Sequence, residues 1–230
     1  MSEVIKLINQ KIIHSSTFRS FGVSYLALSI GTMWLFTISA LIGMGLGFTD
    51  WFIPKTPLNL LIGLTLLFIN IPLISGKSKF LFFFAFLVGM VVEIVGVASG
   101  EIFGIYDYGS NLGMKIMGVP LMIGIYWAVL VIVTSQIARS AFKNIITVSI
   151  AGSLLMVGLD FLMEQMASQF DFWHFENGIA GIKNYIAWFL VAFVLQVLSY
   201  RLVPKHDITF SLHLYLNQIA FFLVAYLLLG

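Results

Sequence analysis

The chain has 230 residues, 60% of them hydrophobic, 15% aromatic and only 10% charged, with a formal net charge of +2. A mean hydropathy of +1.03 is far above what a soluble globular core requires, and so small a net charge carries no signature of nucleic-acid binding. There is no cysteine, which excludes disulfides and thiolate metal sites.

The N-terminal stretch MSEVIKLINQKIIHSS sets Lys6 and Lys11 among scattered apolar positions with no small-residue cleavage site behind it. It reads as a cytoplasmic surface helix over residues 1–18, not as a signal peptide. Seven apolar runs follow, each of a length to cross a hydrocarbon core about 30 Å thick. They are Phe21 to Phe48, Leu58 to Ile74, Phe80 to Ser99, Val119 to Ile137, Ile145 to Ala167, Tyr185 to Val203 and Ile208 to Leu229. Their length and lack of alternation predict helices, since barrel strands are short and alternate. The expected fold is therefore all-α and polytopic, a single transmembrane domain over residues 1–230 without repeats or low-complexity tracts. Gly43, Gly45 and Gly47 in the first run and Gly96 and Gly100 in the third suit close helix packing. Pro72 is expected to end or kink the second. The FLFFFAF run, Phe80 to Phe86, reads as lipid-facing or packing surface.

Basic residues near span ends stay on the cytoplasmic side. With the N-terminus inside, Lys6, Lys11, Arg19, Lys77, Lys79, Arg139, Lys143, Arg201 and Lys205 all lie inside, and only Lys55, Lys115 and Lys183 outside. The predicted orientation is N-in and C-out. All the acids except Glu3 and Asp207 then belong to the outer half.

Glu93 lies roughly 20 Å along the third helix from its inner end and Asp160 roughly 22 Å along the parallel fifth, so the two carboxyls reach nearly one depth. Asp160 and Glu164, at i and i+4, share a helix face. Glu101, eight residues after Glu93, is expected on the same interior if the helix stays regular, forming with Glu164 a second tier near the outer lip. The fourth helix enters from outside and brings Tyr126 and Trp127 to the depth of Glu93. No Lys or Arg lies there, and an ionised carboxylate in hydrocarbon is costly, so protonation is the cheaper state for part of this cluster. The competing reading is structural: each acid hydrogen-bonded to a neighbouring Tyr, Ser or Asn and holding helices together.

Above the acids lies the outer connection EIFGIYDYGSNLGMKIMGVPLMIG, whose four glycines before Val119 let it fold back as a lid carrying Tyr106 and Tyr108. The alternative is a solvated loop with both tyrosines in an interfacial aromatic belt. The next outer loop, SQFDFWHFENGIAGIKN, puts Asp171, Trp173, His174 and Glu176 on the same side. No His/Glu spacing in it marks a metal site, and no nucleotide or flavin motif appears, so no cofactor is expected.

The segments GIYDYGSNLGMKIMGVPLMIGIYW, LDFLMEQMASQFDFW and IKNYIAWF, in that order, resemble the membrane carotenoid hydratases, which add water across the terminal C1=C2 double bond of acyclic or monocyclic carotenoids. The resemblance spans roughly Gly89 to Phe189. It departs at Tyr126, where an asparagine is the expected residue, at Gln165, and around Gly181, where a proline is missing. It implies a cofactor-independent hydro-lyase acting on a lycopene- or γ-carotene-type substrate drawn from the bilayer, with water as co-substrate and other carotenoid biosynthesis enzymes as candidate partners. It also implies residence in the bacterial inner membrane, with the site in the outer half. Carried onto these positions, Asp160 or Glu93 is the proton donor and Glu164 the water-activating partner. The faces of Trp127, Trp188, Tyr106 or Tyr108 shelter a carbocation, and Asp171, Trp173, Asn184 and Tyr185 complete the set. A cyclase or isomerase using the same cation, and a proton-coupled transporter, are the rivals. A seven-helix photoreceptor is disfavoured, because the last span has no Lys for a Schiff base.

Overall fold

The computed structural model describes residues 17–18, 23–71 and 75–230. The surface helix expected at the N-terminus and the role expected of Pro72 lie outside these, apart from Thr17–Phe18. Those two residues are not helical: they form β1, paired antiparallel with β2, Val23–Ser24.

Seven helices are long and apolar enough to cross a membrane: α1 Tyr25–Gly45, α2 Thr49–Asn70, α3 Gly76–Ser99, α4 Leu121–Ala141, α5 Ile145–Ala167, α6 Ile182–Leu202 and α7 Thr209–Leu229. The chain is an all-α, polytopic membrane protein. Side-chain caps set several starts, with Ser24 accepting from Ala27 N–H at 3.1 Å, Ser75 from Ser78 N–H at 3.1 Å and Asn144 from Ile146 N–H at 2.8 Å. The main departure from the sequence reading is α2, which begins at Thr49 rather than Leu58. The span is built of three pieces, Thr49–Phe52, a 3-10 turn at Ile53–Lys55 and Thr56–Asn70, and Pro54 and Pro57 stand in the first turns of the second and third, where a missing N–H does no harm. Lys55 is thereby part of the helical span, not of a loop, its amine 3.5 Å over the Trp51 ring and donating to the Trp51 carbonyl.

Helix α4 is the axis. Its side chains are buried almost all round from Ile123 to Ala138, as befits a helix apolar on every face and walled in by others. Small residues let its neighbours come close. Gly89 of α3 lies against the Trp127 side chain, and Gly124 of α4 against Met90 and Phe86, so a Cβ at either place would collide. Gly152 of α5 faces Gln196 of α6, whose amide donates to Thr134 Oγ1 of α4 at 2.7 Å and ties the three helices together. Gly43 likewise admits Phe52 of α2. Gly47 and Gly100 serve otherwise, with positive φ of 90° and 67°, and Gly100 is the left-handed cap that ends α3. The phenylalanine run divides: Phe80 and Phe83 face outward, while Phe82 is buried against Phe68.

The α3–α4 and α5–α6 connections emerge at the same end of the bundle. In the first lie β3 Tyr106–Tyr108, β4 Lys115–Ile116 and β5 Val119–Pro120; in the second lies β6 Trp173–Phe175. β4 pairs with β5, and β3 pairs antiparallel with β6 in the register Tyr106 to Phe175, Asp107 to His174 and Tyr108 to Trp173.

Candidate functional site

The site forms where this ribbon meets the ends of α3, α5 and α6. After Gly100 reverses the chain, Gly96 leaves room for the Phe103 ring and the Tyr106 hydroxyl against α3. The alternation of β3 then turns Tyr106 and Tyr108 inward and Asp107 outward. Both tyrosines are buried, so the connection is a plug in the bundle and not a solvated loop with belt aromatics.

Their hydroxyls meet on one carboxyl. Glu93 Oε2 accepts from Tyr106 at 2.5 Å and Tyr108 at 2.8 Å, and Oε1 accepts from Trp127 Nε1 at 3.1 Å. Burial, and after it the Glu93 carboxyl, pushes both phenols far above the usual tyrosine range, so they stay neutral donors. Three donors, two from β3 and one from α4, fix this side chain, with both its oxygens engaged.

The other two acids are linked by an amide. Asn184 Nδ2 donates to Asp160 Oδ2 at 3.0 Å and reaches Glu164 Oε1 at 3.5 Å, while Trp173 Nε1 donates to Glu164 Oε2 at 3.0 Å. Among the described residues no hydrogen bond reaches Asp160 Oδ1. Glu93, Asp160 and Glu164 together line a cavity of about 20 Å³, walled also by Tyr106, Tyr108, Asn184 and Trp188. That is room for a single water, with more than enough polar partners to hold it. Trp188, which lines the chamber, stacks on Trp127 with centroids 3.9 Å apart.

Next to this chamber is a much larger cavity of about 490 Å³, lined mainly by apolar side chains of α1, α2, α4 and α7. Ile123, Tyr126, Met163 and Trp173 line both spaces. Tyr126 donates to Gln218 Oε1 of α7 at 2.8 Å, and its hydroxyl lies 3.3 Å from the Met163 sulfur. Where the sequence reading expected an asparagine, then, the tyrosine hydroxyl crosses from one helix to another.

Not every expected residue joins the cluster. Glu101 does not form a second tier with Glu164: α3 ends two residues earlier, and the Glu101 side chain is 83% exposed, paired with Lys183 at 3.2 Å. Asp171 lies on the rim rather than in the chamber. Its Oδ2 accepts from the Ser110 hydroxyl at 2.5 Å and the Ser110 N–H at 2.8 Å, and its Oδ1 pairs with His174 Nε2 at 3.0 Å. The Ser110 hydroxyl, then His174 and the Ser110 N–H, hold its carboxyl down to about 2. It fastens the two connections to each other. Tyr185 packs beside Phe161 and is absent from the chamber wall. Two residues the sequence reading passed over matter here, Met163 and Gln218; the amide pair Asn217–Gln218 in an otherwise apolar span was the cue for the second.

Among the described residues no group of three or more His, Asp or Glu side chains is placed to hold a metal ion. Of the comparisons with known proteins, neither the curated proteins nor the solved structures gave a match. A family model does match, over residues 56–230, which takes in five of the seven long helices whole, most of α2, both connections and the carboxyls Glu93, Asp160 and Glu164. The chain belongs to the carotenoid biosynthesis protein family.

Proposed function

We propose that, within carotenoid biosynthesis, this protein is a cofactor-independent hydratase. It adds water to the terminal C1=C2 double bond of an acyclic or monocyclic carotenoid of the lycopene or γ-carotene type. The observation that carries the reading is the water-sized chamber in which three carboxyls and an aromatic wall converge, adjoining an apolar cavity.

Hydrating a trisubstituted alkene needs an acid able to protonate carbon, shelter for a tertiary cation and one water. Asp160 is the donor, because it accepts a single N–H, and its other oxygen carries the transferable proton. The proton goes to C2, and the two electrons of the double bond form the new C–H bond, leaving the cation at C1. The anionic Glu93, held by three donors, and the Trp188 face stabilise that charge. Water oriented by Glu164 and Asn184 attacks C1 and gives its proton to Glu164. Glu164, one helical turn from Asp160, returns it. The bias of basic residues supports an outer-half site in a bacterial cytoplasmic membrane.

The test is expression in a cell that accumulates lycopene. The expected products are tertiary alcohols heavier by one water, absent with Asp160→Asn although the variant still inserts. Unchanged lycopene, or an isomer of unchanged mass, overturns the hydratase reading, and an active Asp160→Asn overturns the donor assignment.

A further inference from the structure

The 490 Å³ cavity has no part in the chemistry above, and its form specifies what fits it. Along α2 its lining runs from Trp51 to Leu64, about 20 Å of helix. At the ribbon end Leu112, Phe172 and Trp173 close it. Its flank is different: Leu35 and Phe36 of α1 and Trp51 and Leu58 of α2 line it and are exposed on the apolar outer surface, so it opens sideways between those two helices. Of the few polar groups within, Thr37 donates to Asn217 Oδ1 at 2.9 Å and Tyr126 to Gln218, while Asn217 Nδ2 has no partner among the described residues. The one cation on the lining, Lys55, is occupied by the Trp51 carbonyl and ring. At the inner end, past Tyr126, stand the three carboxyls.

We infer that this cavity is the binding site for the stem of an uncharged, long isoprenoid chain. The chain enters from the bilayer between α1 and α2 and brings its end beside Tyr126 and Met163 to the mouth of the acid chamber, whose 20 Å³ holds the water. The charge pattern selects the chemical class. A prenyl diphosphate or a phospholipid would bring phosphate toward three acids without a free cation to meet it, whereas a hydrocarbon polyene loses nothing by leaving lipid for an apolar slot. Tyr126 and the flexible Met163 are the constriction through which only a thin chain end passes. That the end goes on to be hydrated rests on the proposed function; the binding site does not.

Gly63 gives the means of testing this. It lines the cavity, and a Cβ there would meet only Leu214 Cδ1, at 3.8 Å, so Gly63→Ala is accommodated and a larger side chain grows into the space. The full-length protein is purified in mild detergent from lycopene-accumulating cells in an Asp160→Asn background, and retained pigment is read by visible absorption per mole of protein. The Asp160→Asn protein and its Gly63→Ala derivative should retain lycopene, and Gly63→Trp should reduce retention by about tenfold, as overfilling a packed site does. Ala40→Trp, filling the same cavity from α1, should do likewise and serves if Gly63→Trp misfolds. Adding geranylgeranyl diphosphate should not displace the pigment. Undiminished retention in monodisperse Gly63→Trp and Ala40→Trp proteins, or displacement by the diphosphate, overturns the inference. Lycopene bound by the wild type but returned unchanged defeats the hydratase reading and leaves this one standing.

Discussion

The Tyr106 hydroxyl donates to Glu93 Oε2 at 2.5 Å, joining a loop strand to a carboxyl thirteen residues back inside α3. Both partners are buried, so an unmade bond there is costly, and Tyr108 shares the same oxygen. Tyr106→Phe should lower stability by about 1–2 kcal/mol, and the Tyr106→Phe/Tyr108→Phe pair should lose more than the sum of the single changes. Thermal unfolding in detergent reads both; strictly additive losses would show that the two hydroxyls do not share one acceptor.

Asn184 is the amide between Asp160 and Glu164. Asn184→Leu removes the donor without adding charge. By the value of a hydrogen bond between neutral groups, about 0.5–1.5 kcal/mol, product formation should fall roughly threefold to tenfold. Initial rates of alcohol formation measure it. A variant as fast as the wild type means the amide is not positioning the acids.

Trp188 lines the chamber and stacks on Trp127, and the proposed mechanism gives its free face to the cation. If that face shelters a cation with about 2 kcal/mol of stabilisation, Trp188→Leu should slow turnover roughly 30-fold and Trp188→Phe distinctly less. Pigment retention should change little in either variant, which separates transition-state stabilisation from binding.

Gly109 has no room for a side chain: a Cβ would strike the Asp171 carbonyl and Oδ1. Its N–H also donates to the Phe172 carbonyl at 2.9 Å, at the edge of the ribbon. Gly109→Ala should pry the two connections apart, raising protease cleavage within residues 100–120 and lowering activity at least tenfold. Intact resistance to cleavage counts against the ribbon as a closure.

Asp171 offers a pH test. Its carboxyl is held at about 2, below the ordinary 3.8, so its contribution to the fold is complete above about pH 4 and is lost as pH falls from there toward 2. The melting midpoint of the wild type should therefore converge on that of Asp171→Asn across this window and stay apart above it. Because the group is largely exposed, solvent screens the effect and the gap is small. Parallel curves from pH 7 to 2 would remove Asp171 as the fastener.

Much of this architecture is legible in the sequence because hydrocarbon punishes ambiguity. Twenty apolar residues have one good conformation there, and an acid among them must have company. The bounds of α5 coincide with the apolar run, and Glu93, Asp160 and Trp127 meet as equal depths require. The reading fails where a helix end decides the matter. A regular helix extended two residues past Ser99 carries Glu101 to the interior, but a left-handed Gly100 sends it outside instead. Likewise α2 starts early, because prolines that look like breakers are harmless in a first turn. The large cavity has no periodic signature, since it is a gap between four helices and belongs to none of them.

The β3–β6 ribbon is held by main-chain groups, with the Asp107 side chain turned away from the acids. Such a clasp is indifferent to most of the letters spelled along its outer edge. Relatives are thus free to drift at Asp107 and along the exposed turn at Met114 to Met117 while their inner residues keep register, so resemblance within the family should fade first on this rim.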